Sequence, residues 1–273
     1  MNMEGITIVT AFYDIGRDSW NFYDRKTLTY FECFKLLCQL KNKIIVFSEE
    51  KFRPYFDEII QNYKSDLIVF YQDIIEPNLQ LISRIKESQN NLQQTGCLDD
   101  SGRPPEYWNP EYVLVNFLKS QFCLNAIQKV NDIGEIVAWI DFGYLKDEKQ
   151  VPKSKIWDYE FSDKIHMWNI KKIPNNLNLL QTIVSNTVYI QGCHIVATKE
   201  KWRIFNELMK FKMEYLLDNG LVDDDQTLML MSYLEKPSEF EIHEVTINPN
   251  NLGWFFIFQN YNKYSDLEYI LSQ

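Results

Sequence analysis

The chain is poor in histidine: His166, His194 and His243 are the three it has in 273 residues. Chemistry built on several imidazoles is therefore not expected. The five cysteines, Cys33, Cys38, Cys97, Cys123 and Cys193, are scattered and form no CxxC pair. That argues against structural zinc and for reduced, mostly buried thiols in a cytosolic protein. There is no GxGxxG and no GxxxxGK[ST], so neither the dinucleotide fingerprint nor the P-loop is present. No uninterrupted apolar run approaches the roughly 18–20 residues that span a bilayer. The opening MNMEGITIVTAF lacks a basic segment followed by an apolar one, so a signal peptide is not expected. Basic charge is in deficit, 28 Lys and Arg against 38 Asp and Glu, a net charge of -10. This balance disfavours a general nucleic-acid binder and leaves room for a local basic pocket that takes a small anion.

What is present is an ordinary globular composition, 45% hydrophobic, with an aromatic share of 15%. Such aromatic content suits a large packed core, and also a ring-lined cleft for sugars or bases. ITIVTAF, KIIVFS and LIVFY read as buried strands. Helical stretches separate them, from about Asp18 to Leu40 and from near Pro54. Strand and helix alternating at this spacing predict a parallel sheet wrapped by helices. From about Asn78 to Trp108 the pattern weakens, and the polar run with Gly96, Gly102, Pro104 and Pro105 reads as a loop, either a lid or a plain insertion. Asn109, Pro110 and Glu111 then open a helix that runs through EYVLVNFLKSQFCLNAIQKV. IVAWID follows as a strand. TVYIQGCHIVATKEKW reads as strand, Gly turn, strand and a helix capped by Thr198. EIHEVTI and WFFIF are strand-like. One domain over residues 1–273 is expected, with a more irregular second half.

Four stretches could carry chemistry. In open α/β sheets ligands bind beyond the C-terminal ends of the strands. TAFYDIGR leaves the first strand. Thr10 offers a hydroxyl, Asp14 an acceptor for a base or ribose, and Arg17 a planar fork for phosphate; a structural turn is the alternative. Tyr112, Asn116 and Lys119 fall at i, i+4 and i+7 and so share one helix face, toward either solvent or a polar cleft. Lys119 there has a phosphate as its expected partner. Asp141 ends an apolar strand, where it either opens a turn or holds a hard divalent cation that neutralises a diphosphate. Gly143 would let backbone approach a ligand. In VDDDQ, Asp223, Asp224, Asp225 and Gln226 exceed what capping a helix requires, and one carboxylate could serve as general base. Gly192 sits at a turn between strands, next to His194.

ITIVTAFYDIGR, YWNPEYVLVNFLKSQF, VAWIDFGY and DDDQTLM together resemble the successive signature blocks of the HtrL/YibB (WlaTC) family, which is related to the GT-A nucleotide-diphospho-sugar transferases. The resemblance covers nearly the whole chain. It implies a GT-A-like α/β fold: a Rossmann-like, mostly parallel central sheet flanked by helices, with a smaller mixed acceptor-side region. The nucleotide half would span about 1–145 and the acceptor half about 146–273. It implies a glycosyltransferase that moves a hexose from a nucleotide sugar to a hydroxyl of a bacterial surface glycan, a lipopolysaccharide core or capsule. Thr10, Ala11, Phe12 and Arg17 would edge the nucleotide pocket. Asp141 would stand at the position of a DxD acid, Gly192 beneath the donor sugar or acceptor, and Asp225 with Gln226 on the acceptor side. The family pattern usually supplies two carboxylates, and DFGY supplies one. Either a second ligand to Mn2+ or Mg2+ comes from elsewhere, with His243 or a VDDDQ acid as candidates, or Lys119 and Arg17 neutralise the diphosphate without metal. The expected partners are a nucleotide-sugar donor and a glycan or glycolipid acceptor, with no nucleic acid. The expected location is the cytoplasm, in peripheral contact with the inner membrane. The segment from Ser88 to Trp108 would close over the donor. Two rival readings are a non-catalytic nucleotide or glycan binder and a metal-dependent phosphotransferase or pyrophosphatase.

Overall fold

The computed structural model describes residues 5–96, 98, 104–245 and 254–263. The three expected strands form as β1 (Thr7–Phe12), β2 (Ile44–Ser48) and β3 (Ile68–Tyr71), joined by helices α1 (Thr27–Leu37) and α2 (Arg53–Asn62). Parallel neighbours require such crossovers, because a tight turn can only reverse the chain. Then come α3 (Leu79–Gln94), α4 (Pro110–Phe117), α5 (Lys119–Lys129) and β4 (Ile136–Ile140). The second half holds β5 (Ile165–Asn169), α6 (Leu179–Val184), β6 (His194–Thr198), α7 (Lys199–Asp218), α8 (Asp225–Glu235), β7 (Phe240–Glu244) and α9 (Ile257–Asn260).

All seven strands join one sheet in the order β3-β2-β1-β4-β6-β5-β7. β6 runs antiparallel to both β4 and β5, while the other neighbouring pairs are parallel. The result is the mostly parallel, helix-flanked α/β sheet expected of a GT-A-like chain, with a smaller mixed region at one side. From β1 the chain steps outward to β2 and β3, then returns past β1 to place β4 on its other side. Right-handed crossovers put helices on opposite faces for opposite directions of travel. Accordingly α1 and α2 bury Phe31, Phe34, Phe52 and Phe56 with Ile8, Val46 and Ile140 on one face. On the other face Val113, Phe122, Trp202 and Leu228, from α4, α5, α7 and α8, pack with Val9, Phe47, Trp139 and Ile195. Between β1 and β4 the winding reverses, and a crevice opens beyond their C-terminal ends.

The structure corrects four expectations. The weak-pattern segment is largely the 16-residue helix α3, with Ile85, Ser88, Gln89 and Leu92 buried against the body. Glu106 and Tyr107 are also buried, so the described part of Ser88–Trp108 is packed structure and not a lid. Residues 97 and 99–103 of that stretch lie outside the described residues. The single helix expected after Asn109 is two, α4 and α5, divided at Leu118. WFFIF is a turn and the short helix α9 instead of a strand, its apolar side chains Phe256, Ile257 and Phe258 buried on the α1–α2 face. Asn109 does cap α4, its side chain accepting from the Tyr112 N–H at 2.6 Å. Thr198 caps α7 by accepting from the Lys201 N–H. Among the described residues, no helix is long and apolar enough to cross a membrane.

Candidate active site

The crevice at the reversal point is a cleft of about 300 Å³. The loops after β1 and β4, the turn before β6, one face of α4 and α5, and the start of α8 all contribute to it. Ala11, Phe12, Asp14, Arg17, Tyr112, Asn116, Lys119, Asp141, Gly143, Gly192, Asp224, Asp225 and Gln226 all line it. Two expected residues do not. Thr10 lies inside β1 with no exposure. His243 lies on β7, three strands from β4, where its Nε2 meets His166 Nδ1 at 2.9 Å, so it cannot share a cation with Asp141.

Lys119 is the centre of the site. Its ammonium donates to the Gly192 carbonyl at 2.9 Å and to Asp225 Oδ2 at 2.8 Å, and lies 3.1 Å from Asp141 Oδ1. A lysine has three N–H donors, and here all three are engaged. The expectation that Lys119 meets a phosphate is therefore corrected: its charge is spent on two carboxylates and a carbonyl. Burial opposes that charge, but Asp141 and Asp225 hold the ammonium well above its ordinary range. Asp141 Oδ1 also accepts from the Trp139 indole N–H at 2.8 Å. Strand alternation puts Trp139 and Asp141 on one face of the chain, the signal that could have linked them. The Asp141 N–H donates to the Cys193 carbonyl, tying the end of β4 to the turn before β6. Its side chain remains 40% exposed, toward the cleft.

Behind this clamp lies a buried acidic group. Asp224 caps α8 by accepting from the Gln226 N–H at 2.9 Å, and Asp223 accepts from the Thr227 hydroxyl at 2.7 Å. Burial pushes Asp223, Asp224 and Asp225 each up to about 7, with Lys119 pulling the last two back down. Glu106 is 3% exposed. Burial and the nearby charges of Asp224 and Asp223 raise it to about 9. Nothing in the sequence marked Glu106, a lone acid after two prolines. Gly192 has a clear reason to be glycine: an added Cβ would fall 2.5 Å from Asp225 Oδ2.

The mouth is basic and aromatic. Arg17 donates to the Tyr30 hydroxyl at 2.6 Å and to the Tyr23 carbonyl, with its guanidinium 5.1 Å from the Trp20 ring centre. Arg25 lies over Tyr30, and Lys146 Nζ donates to the Gly143 carbonyl. Burial, then the Arg25 guanidinium, lower Lys146. An added Cβ on Gly143 would sit 2.9 Å from the Tyr30 ring, so glycine there preserves the packing of Tyr30 and, through it, of Arg17. Arg25, Tyr30 and Lys146 carried no sequence signal, because the start of α1 and the loop after β4 meet only in the fold. Asp14 is held by Lys51 at 3.0 Å and by the Gly16 N–H.

Fold and site together define an open α/β protein with a polar cleft at its switch point, acidic at the floor and basic at the rim. The chain belongs to the HtrL/YibB family, whose model, described as "Bacterial protein of unknown function (HtrL_YibB)", matches residues 4–263. It is 35% identical to Protein HtrL of Escherichia coli (strain K12) over 268 residues, 93% of this chain and 91% of that one. Among solved structures it is similar to mouse xyloside xylosyltransferase 1, at 12% identity and a TM-score of 0.43 over 94% of this chain and 93% of that one. A second is 4-diphosphocytidyl-2C-methyl-D-erythritol synthase of Anaerococcus prevotii, at 10% identity and 0.40 over 99% and 98%. At such scores the functional reading has to be built on the site itself.

Proposed function

We propose that this chain is a nucleotide-sugar-dependent glycosyltransferase that moves a hexose to a hydroxyl of a bacterial surface glycan. The observation that carries the reading is the placement of Asp141. It ends a central strand at the switch point, one oxygen fixed by Lys119 and Trp139, its side chain open to a cleft rimmed by Arg17, Arg25 and Lys146. An anionic diphosphate would lie along that basic rim, where fixed cations stabilise a leaving group as its charge develops. Aromatic residues beside them, Tyr30 and Tyr112, suit a base or a sugar.

The residues do not fit a cation bridging two floor carboxylates, because the Lys119 ammonium already stands between Asp141 and Asp225. In this proposal the rim neutralises the diphosphate. Asp225 positions Lys119, and Asp224, raised to about 7, takes the proton of the acceptor hydroxyl. Gln226, at the start of α8, orients the acceptor.

The test is calorimetry and transfer with a panel of nucleotide sugars, with manganese and with chelator. Binding and turnover that survive chelation are expected. Asp141→Asn should cut turnover at least a hundredfold and shift the melting temperature little. If no donor binds in either condition, or if Asp141→Asn unfolds the protein, the reading is wrong. Binding by the wild type without any transfer would favour the non-catalytic binder.

A further inference from the structure

Far from the cleft, the parallel pair β5 and β7 brings together side chains that the sequence keeps 75 residues or more apart. His166 stands opposite Glu241, and Trp168 opposite His243. Register partners point to the same face, so His166, Glu241 and His243 crowd one patch of sheet at the β7 side. His166 Nδ1 is 2.9 Å from His243 Nε2 and 3.8 Å from Glu241 Oε2. One ligand atom from each of the three lies within 4.8 Å of the others. None of them borders the cleft.

We propose that His166, Glu241 and His243 form a binding site for a borderline-soft divalent cation of the zinc class, distinct from the nucleotide cleft.

Four features support it. Two atoms each about 2.1 Å from a common cation lie roughly 3–4 Å apart, as His166 Nδ1 does from His243 Nε2 and from Glu241 Oε2. His166 Nε2 is 3.0 Å from the Ser162 carbonyl, which can only accept. The ring proton is therefore on Nε2, and the Nδ1 lone pair faces His243 and Glu241. A backbone carbonyl holding the far nitrogen is how metal-ligating histidines are usually oriented. The same Ser162 donates its hydroxyl to Glu241 Oε2 at 2.6 Å, so one residue orients two of the three ligands. The patch is also accessible, since the Glu241 side chain is 47% exposed while His166 is buried beneath it. Two imidazoles and one carboxylate select zinc, cobalt or nickel over magnesium or calcium, which take oxygen ligands. In the cation-free state His243 Nε2–H donates to His166 Nδ1. Binding requires that His243 carry its proton on Nδ1 instead. The expectation that histidine is too scarce here for multi-imidazole chemistry thus meets two of the three gathered at one point.

The experiment is a titration of the chelator-treated 273-residue chain with cobalt(II), read by visible ligand-field absorption and displaced with zinc. We expect one saturating equivalent in the wild type and in Asp141→Asn, untouched by excess magnesium. His243→Gln and Glu241→Gln should each bind at least tenfold more weakly while keeping the wild-type circular dichroism. Glu241 is exposed enough that its substitution spares the fold. The proposal is overturned if the wild type shows no saturable absorption, if both variants bind as the wild type does, or if Asp141→Asn abolishes binding. The last outcome would put the cation in the cleft.

Discussion

Two regions bury titratable side chains, and they solve the cost of burial in opposite ways. Beneath the cleft, four acids lie close together, Glu106, Asp223, Asp224 and Asp225, and Lys119 pairs with Asp225 and Asp141. Across the sheet, on the α1–α2 face, His194, Trp168 and His243 form a row with ring centres 4.7 and 4.8 Å apart. The acidic floor keeps charge and compensates part of it with a countercharge. The imidazole row avoids charge, and burial pushes His194 down to about 3. A neutral base costs little to bury, whereas an ionised carboxylate costs much unless it is paired. The difference is one of charge: the acids border the cleft, and the neutral imidazoles lie in the core and toward the β7 edge.

The largest expected effect comes from breaking the countercharge. Lys119→Met leaves Asp141 and Asp225 without their shared ammonium, and losing one partner of a buried pair costs about 3–5 kcal/mol. In a chain of this size that is a fall of roughly 10 °C in melting temperature. Adding Asp225→Asn to Lys119→Met should recover part of the loss, because it removes one orphaned charge. No change in melting temperature for the single variant would mean that the clamp does not hold the floor together. Glu241→Gln, at the exposed edge, should change stability by less than about 0.5 kcal/mol.

Titration should separate the regions next. An acid whose folded pKa lies above its unfolded value keeps its proton more tightly when folded. Its contribution is complete below the unfolded value, near 4, and is lost as pH rises through the folded one. For Asp223, Asp224 and Asp225 that window runs from about 4 to about 7, and Glu106 extends it to about 9. Buried His194 has the opposite sign: its contribution is present above the ordinary imidazole value of 6.5 and lost as pH falls toward about 3. The two oppose each other in mild acid, and above pH 7 only the acids remain. Melting temperature should therefore decline from pH 7 to 9, where Glu106 is the acid still titrating, and Glu106→Gln should flatten that decline. A wild-type profile that rises over this interval would contradict the acidic floor.

A steric test sits at the junction. Gly192→Ala puts a methyl 2.5 Å from Asp225 Oδ2, so the carboxylate must move off Lys119 or the turn before β6 must shift. Overpacking of this kind costs about 1–3 kcal/mol. Differential scanning calorimetry should show the loss when Gly192→Ala is made in the wild type and not when it is added to Asp225→Ser, where the space is already cleared. Equal losses in both would place the strain in the backbone.

The same contrast accounts for what could be read from sequence. In the parallel half the strands are continuous apolar runs such as IIVF, so β1 to β4 and the crossovers α1 and α2 were legible, and with them the place where a ligand would sit. Asp141, Asp225 and the Tyr112–Asn116–Lys119 face followed from strand ends and helical spacing. What a lysine at that point would bond was not legible, since Asp141 and Asp225 lie far along the chain and meet it only through the sheet order. β5, IHMWN, alternates buried polar and apolar residues and escaped notice among the irregular residues near Trp157–Pro174. The pairing of His166 with Glu241 exists only through the register of β5 with β7, which no local pattern encodes. Glu106 was hidden for a like reason: its burial depends on α3 and α8 closing around it.

A further test probes α4, the helix that leads into Lys119. Asn109 accepts the Tyr112 N–H at 2.6 Å, and Pro110 supplies the preset first residue of α4. Removing the cap by Asn109→Ala should cost about 1 kcal/mol, and Asn109→Asp should restore most of it, because a carboxylate also accepts that N–H and favours the positive helix end. The readout is denaturant midpoint at constant slope. Since α4 carries Tyr112 and Asn116 on the cleft side and leads through Leu118 into Lys119, a loss confined to the helix end should leave the alkaline decline of the acidic floor unchanged. If Asn109→Ala also alters that decline, the cap and the clamp form one cooperative unit, and the contrast between the floor and the rest of the fold extends to the whole of α4.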